Sequence, residues 1–354
     1  MPELDRLLRH LKDQGGSDLH LSAGMEPRVR VRGELVAVPG WKPLEDAKLR
    51  ELLQPIASER HWREWIETRD VDFAYGLDGV ARFRANYFVQ EHGAGAVFRM
   101  IPEQVVSLDA LALPPAIGKL AELRAGLVLV TGPTGSGKST TLAAVIDKIN
   151  REHSRHVVTI EDPVEFVHAG VRSVLSHREV GLHTQGFADA LRAAVRQDAD
   201  VVLVGEMRDR ETISMALAAA EMGLLVFGTL HTSGAAKTID RIVDAFPASE
   251  QGQVRLSLSE SLAAVVSQLL LPGKDGKGRV AANEILLRTQ GLPNLIREGN
   301  TAMINSVIQS GRKEGMQTMD DALFTLVQAG RIDPREAYRK ATDKMRFESM
   351  APSE

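Results

Sequence analysis

Apolar residues along this chain follow three successive patterns. In residues 1–14, Leu4, Leu7, Leu8 and Leu11 recur at helical spacing and predict an amphipathic helix. The stretches "LHLSAG", "RVRVRGELVAV" and "VARFRANYFVQ" alternate apolar with polar positions, the mark of half-buried strands. Turns fall at Gly33-Glu34 and in "HGAGA" (92–96), and Trp41 to Thr68 reads as mostly helical. Residues 1–105 therefore predict a small α+β domain with an antiparallel sheet.

A linker at 106–118, carrying Pro114 and Pro115, leads into a different pattern. Near-continuous apolar runs, "GLVLVT" (126–131), "HVVTIE" (156–161), "SVLSH" (173–177), "VVLVG" (201–205) and "LLVFGTL" (224–230), alternate with helical segments. Strands apolar on both faces point to a parallel sheet covered by helices, so 119–290 reads as an α/β core. Within it, "LSLSESLAAVVSQLLLP" (256–272) is interrupted by Glu260 and Gln268 and reads as a buried helix, too short to span a bilayer. The remainder, 291–354, is helical in pattern. No internal repeat or low-complexity segment stands out.

Composition narrows the class. With 354 residues the chain suits two domains, and 44% hydrophobic with 25% charged residues fits a soluble globular protein. It contains no cysteine, which removes disulfides and thiolate metal sites and suits a reducing cytoplasm. A formal net charge of −4 counts against a dedicated nucleic-acid binder, whose affinity rests on basic residues. The charged N-terminus lacks the apolar stretch of a signal peptide.

"LVLVTGPTGSGKSTTLAAVIDKIN" matches Gly-x4-Gly-Lys-Ser/Thr, the Walker A motif of P-loop proteins. Gly132, Thr134, Gly135, Ser136, Gly137, Lys138, Ser139 and Thr140 form a loop whose glycines let backbone N–H groups face phosphate oxygens, at the positive end of the following helix. Lys138 would reach the β- and γ-phosphates, and Ser139 would ligate magnesium. Leu142, Val145, Ile146 and Ile149 give that helix one buried stripe. The expected ligands are ATP and Mg2+.

Two carboxylates end predicted core strands, Glu161 in "TIEDPVEF" and Glu206 in "LVGEMRD", and a parallel sheet gathers such ends on the edge that carries the phosphate loop. Pro163 stops the first of these strands. Either acid can hold the attacking water or magnesium, or can cap a helix or pair with Arg208 or Arg210. His231, in "VFGTLHTS", follows another core strand on the same edge and is either structural or a sensor of the γ-phosphate or of a neighbouring subunit. Arg82 and Arg84 share one face of their strand, while Phe83, Ala85, Tyr87 and Val89 take the other and pack; Arg99 lies on the expected partner strand. These arginines form either a solvated basic face or a source of charge for a hydrolytic transition state. Arg28, Arg30 and Arg32 form a similar stripe and read as solvated.

Taken in order, "GPTGSGKST", "TIEDPVEFVH", "VRQDADVVLVGEMRDRET" and "LVFGTLHT" resemble the secretion ATPase superfamily, and within it the type IV pilus retraction ATPase (PilT) family. The N-terminal "GSDLHLSAGMEPRVRVRGEL" and "RFRANYFVQEHGAGAVFRMIP", with the C-terminal "NLIREGN" and "GMQTMDDAL", extend the resemblance over nearly the whole chain. It implies a PAS-like N-terminal domain, a RecA-like P-loop ATPase core and C-terminal helices, assembled as a homohexamer with ATP held between the two domains. It assigns Glu161 to the Asp box, Glu206 to the Walker B box and His231 to the His box, and it casts Arg82, Arg84 and Arg99 as a clamp on the nucleotide. It further implies a cytoplasmic motor, peripheral at the inner membrane, that drives pilus retraction and twitching motility through the inner-membrane platform protein, beside PilU-like and PilB-like ATPases and without nucleic acid. Two positions depart from the family pattern: Leu224 stands where a histidine usually opens the His box, and "GLPNLIRE" replaces "AIRNLIRE". Extension motors and type II secretion ATPases usually carry additional N-terminal domains and a tetracysteine zinc site, which a cysteine-free chain lacks. An accessory PilU-like retraction ATPase, an ATP-gated scaffold and a RecA-like nucleic-acid translocase are the alternatives.

Overall fold

A computed structural model describes residues 3–31, 33–101, 105–276 and 278–350, so Arg32 lies outside the described residues. The chain divides into two compact units: Met1–Gln104 with Asp162–Val167, and Val105–Glu161 with His168–Glu354. No helix among the described residues is long and apolar enough to cross a membrane.

The first unit is built on a six-stranded antiparallel sheet. Its strands are β1 (Asp18–Ser22), β2 (Arg28–Val31), β3 (Glu34–Ala37), β4 (Asp70–Leu77), β5 (Ala81–Gln90) and β6 (Gly93–Ile101), in the order β3-β2-β1-β6-β5-β4. Helices Glu3–Asp13, Asp46–Leu53 and Glu59–Thr68 accompany it. Alternation in β5 buries Phe83, Ala85 and Tyr87 against Leu4, Leu8, Trp65 and Phe98. Tyr87 is tolerated there because its hydroxyl donates to the Leu53 carbonyl at 3.1 Å. Val89, expected to pack with them, is exposed, because it sits where the strand runs out toward its turn. That turn requires glycine at 93: φ is +122°, and a Cβ would come within 2.3 Å of Asp46 Oδ1. Strand β4 was not foreseen; in "DVDFAYGL" only Val71 and Phe73 are buried, too brief an alternation to stand out beside the preceding helix.

The second unit holds a seven-stranded sheet: β7 (Gly126–Thr131), β8 (His156–Glu161), β9 (Val174–Glu179), β10 (Val201–Val204), β11 (Leu225–Leu230), β12 (Leu262–Pro272) and β13 (Arg279–Leu287), ordered β13-β12-β7-β11-β10-β8-β9. All neighbours pair in parallel except β12 and β13. Helix Lys138–Glu152 buries Leu142, Val145, Ile146 and Ile149 as its stripe foretold. The long apolar segment corrects the reading of 256–272 as a helix. Helix Ala248–Ser261 ends at Ser261, and Leu262 to Pro272 is a strand beside β7. Run length suggested a helix, but Val265 and Val266 suit a strand buried on both faces, and β7 offers the free edge. After β13 the chain is helical to its described end.

Candidate functional site

The phosphate loop runs from the end of β7 to helix Lys138–Glu152, with Gly137 at the helix N-cap in a left-handed conformation, φ +84°. Gly132 has φ +144°, and a Cβ there would come within 2.3 Å of the Gln268 carbonyl oxygen and 2.6 Å of Ser136 Oγ. The loop therefore takes a shape that only glycine permits at these points. Lys138 is buried, and its Nζ donates to the carbonyls of Gly132 (2.9 Å) and Pro133 (3.1 Å), so it folds back across the loop mouth. Ser136 Oγ is buried with no hydrogen-bond partner among the described residues. Ser139 is exposed in the first helical turn. A Gly-lined curve, a lysine lying over it and an unpartnered buried hydroxyl fit a polyphosphate.

Beyond β7 the sheet order sets the other candidates in sequence along the same edge. His231 follows β11, the immediate neighbour of β7; Glu206 follows β10, two strands away; Glu161 ends β8, three strands away. At about 4.8 Å per strand, Glu206 stands roughly 10 Å and Glu161 roughly 14 Å from the β7 line. Glu161 is buried, and β9 pairs Glu179, also buried, directly beside it. Sequence reading overlooked Glu179; its signal is a carboxylate ending a strand beside a strand that ends in another.

Glu206 is fixed from both sides. The residue before it, Gly205, donates its N–H to the Ile160 carbonyl at 2.7 Å and accepts from the Thr229 hydroxyl. The residue after it, Met207, is buried, and its N–H donates to the Thr229 carbonyl at 3.0 Å. Met207 sulfur fills the space above Gly228, where a Cβ would come within 2.3 Å of it. Thus clamped, the Glu206 carboxylate meets His231 Nε2 at 3.1 Å and Arg208 Nε at 2.5 Å, both on Oε1. Burial pushes its pKa up, but the Arg208 guanidinium and His231 outweigh this and hold the carboxyl below the usual range. Glu206 is therefore ionised at neutral pH. Arg210 does not join it but pairs with Glu250 at 2.6 Å, and Asp209 caps helix Arg210–Glu221 through the Thr212 N–H at 2.8 Å.

Leu224 lies just before β11, at the end away from His231, and is buried in the core of the second unit. Six strand residues separate them, about 20 Å, so a side chain at 224 packs the far edge of the sheet and does not enter the phosphate edge.

In the first unit, Arg84 and Arg99 lie directly opposite in the β5–β6 register, a like-charge pairing that two aspartates offset. Arg84 Nε reaches Asp72 at 3.4 Å, and Arg99 Nε reaches Asp18 at 2.8 Å. Burial raises the Asp18 carboxyl, yet the Ser17 hydroxyl and Arg99 bring it below its ordinary value. Arg82 Nη2 donates to the Val164 carbonyl at 3.3 Å, in the segment that follows Glu161.

Sequence reading also missed the residue that touches the phosphate loop from behind. Gln268 of β12 is buried, and its Nε2 donates to the Ser136 carbonyl at 2.6 Å. Its signal was present: a glutamine inside the buried run "VVSQLLL" needs buried partners.

A parallel sheet whose strand ends carry a phosphate loop, a clamped glutamate and its histidine defines a P-loop nucleotide hydrolase. Residues 69–351 match the family of type II/IV secretion system proteins, and the chain belongs to it. It is 50% identical over 339 residues to the Type IV pilus retractation ATPase PilT of Pseudomonas aeruginosa, covering 96% of this chain and 98% of that protein. It is 40% identical over 339 residues to the Type IV pilus ATPase PilU of the same organism, covering 96% and 88%. A crystal structure of the pilus retraction motor PilT with bound ADP superposes with a TM-score of 0.90 at 43% identity, covering 99% of this chain and 100% of that one.

Proposed function

We propose that the chain is an ATP-hydrolysing motor that drives type IV pilus retraction. The observation that carries this reading is the Glu206–His231 pair, set on the strand ends next to the phosphate loop, in a chain half identical to a retraction ATPase along nearly its whole length. Gly132 to Thr140 would cradle the triphosphate, with Lys138 leaving the Gly132 and Pro133 carbonyls to meet it. Ser139 and Glu206 would hold magnesium, which when bound offsets charge on the phosphate oxygens. Glu206, kept ionised by Arg208 and oriented by His231, accepts a proton from or orients the attacking water; Glu161, one strand further out, supports it. Arg82, Arg84 and Arg99 supply positive charge to the transition state. The motor works as a homo-oligomer, expected to be a hexamer, in the cytoplasm at the inner-membrane platform protein.

The test is live imaging of labelled pili in a strain lacking this gene, with and without complementation. Pili that extend but no longer retract, and recover with the gene, support the reading. Retraction that persists overturns the motor assignment and favours an accessory PilU-like role.

A further inference from the structure

The strand β12 carries Ser267 and Gln268 side by side, so their side chains leave opposite faces of the sheet. Both hold loops of the phosphate edge. Ser267 Oγ accepts from the Gly234 N–H at 2.8 Å, just after the His231 loop, while Gln268 holds Ser136. The orientation of the Gln268 amide follows from its partners. A backbone carbonyl can only accept, so the nitrogen faces Ser136, and the oxygen accepts from Thr141 Oγ1 and Asn283 Nδ2, each at 2.9 Å. Thr141, Gln268 and Asn283 are all buried, so every one of these bonds lies out of water.

The bond to Ser136 governs the loop's donors. In a trans peptide the Ser136 carbonyl and the Gly137 N–H point in opposite directions, so drawing the carbonyl toward β12 turns that N–H away from β12. The chain of contacts continues past β12. Gln268 and Asn283 are register partners across β12 and β13, and the Asn283 carbonyl accepts from Gln317 Nε2 at 2.8 Å. Gln317 also pairs by backbone with Ile285, at 2.8 and 3.2 Å, which docks the turn before helix Met319–Gln328.

We propose that Gln268 is a positioning residue for the phosphate loop, and that through Asn283 it ties the conformation of that loop to the Gln317 turn of the C-terminal region. This deepens the proposed function and rests on the loop binding nucleotide. A loop held in one shape serves ADP and ATP alike, so losing the hold weakens binding of both and leaves the chemical step little changed.

The test measures the Kd of a fluorescent ADP and steady-state ATP hydrolysis with the full chain. Gln268→Met removes the amide at similar volume. Gln268→Glu keeps acceptors for Thr141 and Asn283 but, when ionised, has no donor for Ser136. Both raise the Kd and the KM by about tenfold, the scale of one buried hydrogen bond, with kcat changed less than about threefold. Gln317→Met, which does not touch the loop, raises the Kd about two- to threefold, and the Gln268→Met, Gln317→Met double variant matches Gln268→Met alone. Wild-type Kd and KM in both Gln268 variants overturn the positioning role. A silent Gln317→Met, or one whose effect multiplies fully onto Gln268→Met, overturns the tie. Should Gln268→Met fail to fold, Gln268→Glu and Gln317→Met decide the matter by the same measures. Wild-type protein that binds no ADP overturns the nucleotide reading itself, and the proposal with it.

Discussion

Replacing Glu206 with glutamine separates chemistry from architecture. The side chain keeps its shape and its Oε1 acceptor, but the carboxylate that accepts from Arg208 at 2.5 Å and His231 at 3.1 Å loses its charge. Charge-assisted hydrogen bonds are roughly twice as strong as neutral ones, so both contacts weaken while persisting. Glu206 is partly exposed and Arg208 largely so, and a solvent-screened pair of this kind contributes at most about 1 kcal/mol to stability. For a unit of this size that is a fall in Tm of about 2–4 °C. Removing a general base or the residue that orients the attacking water costs on the order of 100- to 10,000-fold in rate. Phosphate release under saturating ATP should therefore drop by at least about a hundredfold, while the Kd for fluorescent ADP stays within roughly threefold, since Gly132 to Lys138 are untouched. A variant retaining more than a tenth of wild-type kcat refutes the role given to Glu206. A variant that loses ADP binding equally would place the main role of the carboxylate in holding the loop or the metal in the ground state, and not in the chemical step.

Other perturbations follow from the same geometry. Gly132→Ala places a Cβ 2.3 Å from the Gln268 carbonyl at φ +144°, a backbone clash that no rotamer relieves; it should cost about 1–3 kcal/mol in thermal unfolding and abolish ADP binding in a fluorescence titration. Arg99→Ala leaves the buried Asp18 carboxylate, among the described residues, with the Ser17 hydroxyl, a 4.0 Å contact to Arg30 and the nearby His20; discounted for the exposed guanidinium, the loss is about 1 kcal/mol at pH 7. Because the Asp18 pKa is lowered on folding, its stabilisation is present above the ordinary aspartate value and disappears as pH falls through the folded one, so the gap between Arg99→Ala and wild type should close in acid melts. Glu284 has the opposite sign: burial pushes its carboxyl up despite the N–H groups of Ala235 and Met319, so its ionisation costs stability as pH rises above the ordinary glutamate value. Melting curves of Glu284→Gln should gain on wild type as pH rises from the ordinary glutamate value and level off once the folded carboxyl has ionised, and a constant difference would contradict this.

Much of this was legible in the chain because period and punctuation agree. The Walker loop, the apolar runs that became β7, β8, β10 and β11, and the two glutamates ending β8 and β10 are local signals, each readable within a few residues. What was not legible depends on partners far away in sequence. Residues 262–272 are apolar enough for either helix or strand, and only the vacant side of β7 decides for strand. Gln268 looked like an interruption because its reasons, Ser136, Thr141 and Asn283, lie 132, 127 and 15 residues from it. Leu224 looked like a defect in a motif, yet its place at the far end of β11 makes it a core residue.

The order of strands also bears on why a glutamate follows β10. His231 comes between the phosphate loop and Glu206, because β11 separates β7 from β10. A carboxylate two strands away must extend back toward the loop line, roughly 10 Å off, and the longer side chain of glutamate covers more of that distance than aspartate does. It also reaches His231 and Arg208 together on Oε1. Glu206→Asp tests this: with one methylene fewer and Gly205 and Met207 still clamped by Thr229 and Ile160, the carboxylate retreats toward β10. ADP affinity should hold while kcat falls at least about tenfold, since about 1 Å of misplacement is enough to cost a hundredfold. Wild-type turnover in Glu206→Asp would mean that charge alone matters at this position, and that the reach of glutamate does not.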